Sequence, residues 1–153
     1  MPDTERTTLV ADRLAISDLV HAYCQGVDGR DAEGVADLFT AEGTFVAYAT
    51  PGATEPTSRN QGRAEITKAI GMARHYRQTT HTVGNHLAAV DGDRARGETR
   101  VVAYHVLGDE DAETVLVWHI RYLDDYVRGP EGWRIRERVL RVDLDTTQPL
   151  RAG

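Results

Sequence analysis

Between residues 8 and 27 the apolar positions Ile16, Leu19, Val20, Tyr23 and Val27 recur at spacings of three and four, the period of a helix with one buried face. Thr7 or Thr8 is placed to cap its start. The run Gly26-Val27-Asp28-Gly29-Arg30-Asp31 breaks the pattern, and Asp31 stands where an N-cap would open a second, short helix from Ala32 to Phe39. Residues 43–48, with Phe45 and Val46, read as a strand. The polar, proline-broken stretch Thr50-Pro51-Gly52-Ala53-Thr54-Glu55-Pro56 reads as a loop that would serve as a mobile flap. Residues 62–74 predict a third helix, with Ile66, Ala69 and Ile70 on one side and an end near His75.

The period then changes from 3.6 to 2. Segments 78–90, 95–107, 113–127 and 132–144 are rich in Val, Thr, Tyr and Trp. They are separated by Asp91-Gly92-Asp93, Gly108-Asp109-Glu110-Asp111 and Gly129-Pro130-Glu131-Gly132, turns short enough for antiparallel hairpins. The predicted class is α+β, in the order α-α-β-α-β-β-β-β, with helices on one face of a curved sheet. Residues 1–145 form one domain, and the polar tail 146–153 is expected to fray.

Composition narrows the function. At 153 residues the chain holds one core, and 24 acids against 18 bases leave a net charge of −6, with no basic field for nucleic acid or anionic lipid. The single cysteine, Cys24, excludes an internal disulfide and reads as a small core residue. The polar N-terminus lacks a signal-peptide pattern and no stretch is long enough to span a membrane, so the expected location is cytoplasmic. Lys68 is the only lysine, which makes Schiff-base chemistry a poor fit.

Six histidines, at 21, 75, 81, 86, 105 and 119, carry most of the candidate chemistry. Strict alternation places His81, Val83, Asn85, Leu87 and Ala89 on one strand face and Val101, Ala103, His105 and Leu107 on another. If these strands pair across the Asp91-Gly92-Asp93 turn, partners sum to about 184 to 186 in residue number. His81 and His105 are then neighbours. Asp28, closing the first helix, can lean over the same end of the sheet. A single inward histidine is commonly a satisfied core residue, but two with a carboxylate supply a general base, a general acid and an orienting group. Metal binding is not expected: His81 and His86 fall on opposite faces of a regular strand, and no HxH or HExxH spacing occurs. Ser17 and Ser58, the only serines, lack a nucleophile elbow, and no phosphate-binding glycine loop is present. His21 and His75 read as surface or interface residues. On the next strand Trp118, Ile120, Tyr122 and Asp124 alternate with His119, Arg121, Leu123 and Asp125; either set would face the pocket, the other a partner subunit.

The stretches Asp28-Gly29-Arg30-Asp31-Ala32, Ala36-Asp37-Leu38-Phe39, Thr79-Thr80-His81-Thr82-Val83-Gly84-Asn85-His86, Arg121-Tyr122-Leu123-Asp124 and Gly132-Trp133-Arg134-Ile135 resemble the SnoaL-like branch of the nuclear-transport-factor-2-like superfamily over roughly residues 10–145. The resemblance implies a cone-shaped, curved mixed sheet packed on three N-terminal helices. Within that superfamily the pattern is similar to scytalone dehydratase, a metal-free enzyme. This implies catalytic roles for Asp28, His81 and His105 and a pocket role for Tyr48. Val27 replaces that enzyme's tyrosine before the aspartate, and Ile120 and Tyr122 replace its serine and asparagine.

Together these readings predict a cofactor-independent dehydratase, cyclase or isomerase acting on a hydrophobic, carbonyl-bearing cyclic or polyketide-like molecule. Asp28, His81 and His105 would be catalytic, with Tyr23, Tyr48, Asn85, Trp118 and Tyr122 contacting the substrate. Two alternatives stand beside this: a non-catalytic binding module or partner subunit, and an epoxide hydrolase using Asp28 with Arg100 or Arg121. The resemblance also implies a homodimer through the outer sheet face, with His119 and Arg121 as contributors.

Overall fold

A computed structural model describes residues 3–108 and 113–150. The apolar stripe of the first segment forms α1 (Asp3–Asp28), with Ile16, Val20 and Tyr23 fully or almost fully buried while Val10 and Leu14 stay exposed. Each such core side chain removed from water contributes about 1.5–3 kcal/mol. The helix starts before the expected cap, so Thr7 and Thr8 lie within it.

Its end is specified by backbone geometry. Asp31 N–H donates to Gly26 O (2.9 Å) and Arg30 N–H to Val27 O (3.2 Å), the paired bonds of a Schellman motif with Arg30 as its left-handed residue (φ 63°). Gly26 is required here because a Cβ would lie 2.5 Å from Val35 Cγ2 on the next helix. Asp31 then caps α2 (Ala32–Ala36), its Oδ1 accepting from Gly34 N–H at 2.9 Å. This helix is shorter than expected, and Phe39 already opens β1 (Phe39–Tyr48).

The polar loop leads into a strand absent from the sequence reading, β2 (Ser58–Gln61), which precedes α3 (Gly62–Gly71) and a 3₁₀ turn (Met72–His75). The loop expected as a flap is tied down, since Arg141 donates to Ala53 O at 2.9 Å. The meander comprises β3 (Gln78–Asp91), β4 (Arg94–Leu107), β5 (Thr114–Gly129) and β6 (Gly132–Pro149). The turn predicted at 108–111 lies largely outside the described residues. Beyond residue 145, where fraying was expected, β6 continues to pair with β5 as far as Thr114↔Pro149.

The six strands form one curved, open, mixed sheet in the order β2-β1-β6-β5-β4-β3, with β1 parallel to β6 and every other pair antiparallel. Helix α1 packs on β3 and β6, and α3 on β1. Asp12 anchors α1 to the β5–β6 hairpin, accepting from Trp133 Nε1 (2.9 Å) and Arg128 Nη1 (2.6 Å).

Besides a shift between Phe39 and Thr44 on β1, three register shifts within the meander reset which residues face the helices. The first lies between Val83 and His86 on β3; the others place extra residues on β6 near Arg136 and Asp143. Beyond the first, the half-buried positions become His86, Ala88 and Val90, while Asn85 and Leu87 are exposed. Among the described residues no helix is long and apolar enough to cross a membrane.

Candidate active site

The Schellman turn leaves Asp28 as the last residue of α1, against β3. Its Oδ2 accepts the backbone N–H of His81 at 2.7 Å, and its Oδ1 lies 2.6 Å from His81 Nδ1. One carboxylate thus fixes both the strand and the ring. With Nδ1–H donated to Asp28, Nε2 is the nitrogen free to act as a base in the cavity that His81 lines.

His105 lies on β4 opposite Thr79, two pairs along from His81↔Ala103, within the predicted register. Its ring is edge-on to His81, with centroids 6.1 Å apart, and is packed by Tyr76 (4.5 Å) and Trp118 (4.7 Å). Nδ1–H donates to Leu116 O at 3.3 Å. Burial, reinforced by the neighbouring His81, pushes its pKa down to about 4, so the ring is neutral at neutral pH.

Both histidines face a cavity of about 850 Å³ whose wall is mainly apolar, including Val27, Phe45, Ile70, Ile120 and Leu140. Tyr23, Trp118 and Tyr122 line it, which decides the open question on β5 in favour of the aromatic set. The Tyr122 hydroxyl is buried with no hydrogen-bond partner among the described residues, as is that of Thr79. Burial raises the pKa of Tyr122 well above the ordinary phenol value, keeping it a neutral donor.

Two expected substrate contacts are not in the cavity. Phe45, Ala47 and Ala49 of the β1 region line it, so Tyr48 takes the alternate face and lies under Arg141, whose guanidinium carbon is 4.0 Å from the ring centroid. Asn85 is exposed because the β3 bulge reverses the alternation. The same bulge turns His86 inward, its Nδ1 hydrogen-bonded to Thr99 Oγ1 at 2.8 Å, and overturns the parity argument that separated it from His81. Among the described residues, no group of three or more His, Cys, Asp or Glu side chains could hold a metal ion. Arg100 and Arg121 instead bind Asp143, with Arg121 Nε and Nη2 each 2.7 Å from its carboxylate, and neither lines the cavity. The arginine proposed for epoxide hydrolysis is therefore missing from the site. Cys24 is a buried core residue with its thiol pushed up to about 11 by burial. His21 is exposed as expected, whereas exposed His75 also lines the cavity mouth.

Sequence reasoning missed two parts of the site. Arg30 reaches across to the 3₁₀ turn, donating to Ala73 O and to Tyr76 O (2.9 Å), and so ties the residue two places after Asp28 to the wall that packs His105. Beneath the cavity, Arg138 makes a fully buried bidentate pair with Asp124 (Nε–Oδ1 2.8 Å, Nη2–Oδ2 2.7 Å), and Tyr126 donates to the same carboxylate at 2.6 Å. The guanidinium stacks on Tyr23 (4.1 Å) and Tyr122 (4.3 Å). Alternation from Trp133 and Ile135 puts Arg138 outside; the register shift near Arg136 puts it inside.

Comparison with known proteins agrees with this architecture. A family model described as a SnoaL-like domain matches residues 8–139. The uncharacterised protein Rv2910c of Mycobacterium tuberculosis is 30% identical over 131 residues, 85% of this chain and 84% of that one. A solved structure from Novosphingobium aromaticivorans, described provisionally as a scytalone dehydratase, is 26% identical with a TM-score of 0.77, covering 97% of this chain and 95% of that one. The hexachlorocyclohexane dehydrochlorinase LinA-type3 of Novosphingobium barchaimii is similar in fold alone, with 19% identity, a TM-score of 0.76 and coverage of 97% and 94%. The chain therefore belongs to the SnoaL-like family and carries the nuclear-transport-factor-2-like fold.

Proposed function

We propose that this chain is a lyase, cyclase or isomerase that uses its own side chains, without a cofactor, to move a proton next to a carbonyl in a hydrophobic cyclic or polyketide-like molecule. The observation that carries this reading is the Asp28–His81 pair, with one carboxylate fixing the strand and the imidazole while the second ring nitrogen is left to a large apolar cavity. The solved relative described as a dehydratase supports the same class.

For a dehydration the steps balance as follows. His81 Nε2 takes the proton alpha to the carbonyl, and the C–H electron pair becomes an enolate whose oxygen accepts from Tyr122 Oη. The enolate collapses to a carbon–carbon double bond as the C–O bond to the leaving hydroxyl breaks. The proton held by His81 passes to that oxygen, directly or through His105, and water departs. Since His105 rests neutral, it enters as a hydrogen-bond acceptor and becomes an acid only after receiving a proton inside the cavity. Isomerisation uses the first step and returns the proton to another carbon.

The test does not require the natural substrate. In D₂O the wild-type protein is expected to catalyse deuterium uptake at the alpha carbon of a bicyclic ketone such as 2-tetralone, followed by NMR. His81→Asn should lower the rate by about 10²–10⁴. Uptake no faster than with the His81→Asn variant would refute the catalytic reading and leave a ligand-binding module.

A further inference from the structure

Two buried hydroxyls on the cavity lining, those of Tyr122 and Thr79, have no hydrogen-bond partner among the described residues. Tyr122 is the proposed donor to the enolate, whereas Thr79 has no part in the proton transfers. Thr79 is only 5% exposed, and a hydroxyl buried without a partner is costly enough that native structures seldom keep one.

Register places this hydroxyl beside the reacting groups. Thr79 pairs with His105 across β3 and β4, and cross-strand partners carry their side chains to the same face. It also shares a face with His81, two residues further along β3 and ahead of the bulge that follows Val83. Two residues of strand span about 6.5 Å, close to the 6.1 Å between the two imidazole centroids. Thr79 and His105 thus form one rung of the wall, and His81 stands on the next. This spacing suits groups on adjacent carbons of one ligand: a hydrogen removed at His81 and an oxygen held at the Thr79–His105 rung. On the His105 ring, Nδ1–H is committed to Leu116 O, which leaves Nε2 as an acceptor. The Thr79 hydroxyl supplies the complementary donor. A substrate hydroxyl between them donates to Nε2 and accepts from Thr79 Oγ, whereas a hydrogen or a methyl group in its place satisfies neither.

From this arrangement, and resting on the reading of the site given above, we infer that Thr79 is a specificity-determining residue that, with His105, holds the leaving hydroxyl of a β-hydroxyketone. As the C–O bond breaks, its electron pair goes to the oxygen, which is met by the Thr79 O–H and takes the proton that His81 removed. Thr79 keeps its own proton throughout, and one water leaves. The rung therefore selects for elimination over isomerisation, since a ketone without the β-hydroxyl leaves the Thr79 hydroxyl unpaired.

The experiment gives wild type, Thr79→Val and Thr79→Ser two probes: 2-tetralone, followed by deuterium uptake, and 4-hydroxy-2-tetralone, whose loss of water yields 2-naphthol, followed by fluorescence above the buffer rate. Thr79→Val keeps the shape of the side chain and removes the hydroxyl. It should slow 2-naphthol formation about tenfold more than it slows uptake into 2-tetralone, and Thr79→Ser should restore most of the difference. Thermal melts of the ligand-free proteins give a second readout. Because the wild type buries an unpaired hydroxyl, Thr79→Val should melt no lower than wild type, whereas loss of a hydroxyl bonded within the fold would lower the melting temperature. Equal slowing of the two reactions, no slowing of either, a Thr79→Ser protein that behaves like Thr79→Val, or a lower melting temperature for Thr79→Val would overturn the inference. So would a wild type that exchanges 2-tetralone but forms no 2-naphthol. Each of these leaves the proton-transfer reading intact, while absence of exchange in the wild type would defeat that reading and the role of Thr79 with it.

Discussion

His105 shows how a residue's surroundings decide its role more than its type does. An imidazole ordinarily titrates near pH 6.5. Here burial comes first, then the facing His81, with Arg30 adding to them; the Leu116 carbonyl and Asp28 oppose, and the net position is about 4. Because the folded value is lowered, the unfolded chain binds more protons between about pH 6.5 and 4, and the native state loses stability as pH falls through that window. The stabilisation is fully present above about 6.5 and fully lost below about 4; the shift corresponds to about 3 kcal/mol. Denaturant midpoints measured across this range should fall with acid for wild type and fall by distinctly less for His105→Gln. Parallel acid profiles for the two proteins would show that His105 is not held neutral. At this scale the sequence was informative about identity and poor on exposure. Asp28, His81 and His105 come together as read, because helix termination and strand alternation are local properties. Asn85 does not, because it was placed by an alternation that the β3 bulge reverses, and neither does Tyr48, whose pocket role came from the resemblance alone.

At the scale of elements, the register shifts explain most of what was illegible. The 3.6-to-2 change of period located α1, α3 and the four meander strands, since each depends on its own run of apolar residues. A bulge is different, as the extra residue is stabilised by neighbouring strands and leaves little mark in the strand's own composition. That is why Arg138, on β6 past the shift near Arg136, was missed as an interior residue, and why His86 was placed on the wrong face. The four-residue β2 is short, polar and paired only with β1, and carries no periodic signal at all. Arg30 joins elements in another way. It occupies a left-handed position that glycine fills at little cost, and its guanidinium holds the 3₁₀ turn that packs Tyr76 against His105. Arg30→Gly should therefore separate stability from function. Relief of the backbone offsets the lost hydrogen bonds, leaving thermal stability within about 1 kcal/mol of wild type. Alpha-proton exchange should nevertheless drop about tenfold, because the turn no longer fixes the His105 wall. Unchanged exchange in a folded Arg30→Gly protein would show that the clamp has no part in the site.

For the whole molecule, the distribution of charge is the organising feature. The excess acid lies on the outside, and one ion pair, Asp124–Arg138, is sealed inside with no exposure on either side chain. A sealed pair is seldom a gain in stability over apolar residues of the same size, whereas breaking it leaves an uncompensated buried charge. Its geometry suggests what it is kept for: the guanidinium lies against the rings of Tyr23 and Tyr122, and Tyr122 is the proposed donor to the enolate. Two variants distinguish support of the fold from support of the site. Asp124→Asn should cost about 3–5 kcal/mol in a denaturant melt, since Arg138 is left charged and unpaired. The double change Asp124→Leu with Arg138→Met should recover most of that loss, yet remain deficient in alpha-proton exchange because the cation that holds the two phenols is gone. A double variant as stable as wild type and equally active would make the pair a feature of the core alone. One that is stable but slow would tie the interior charge to the chemistry above it.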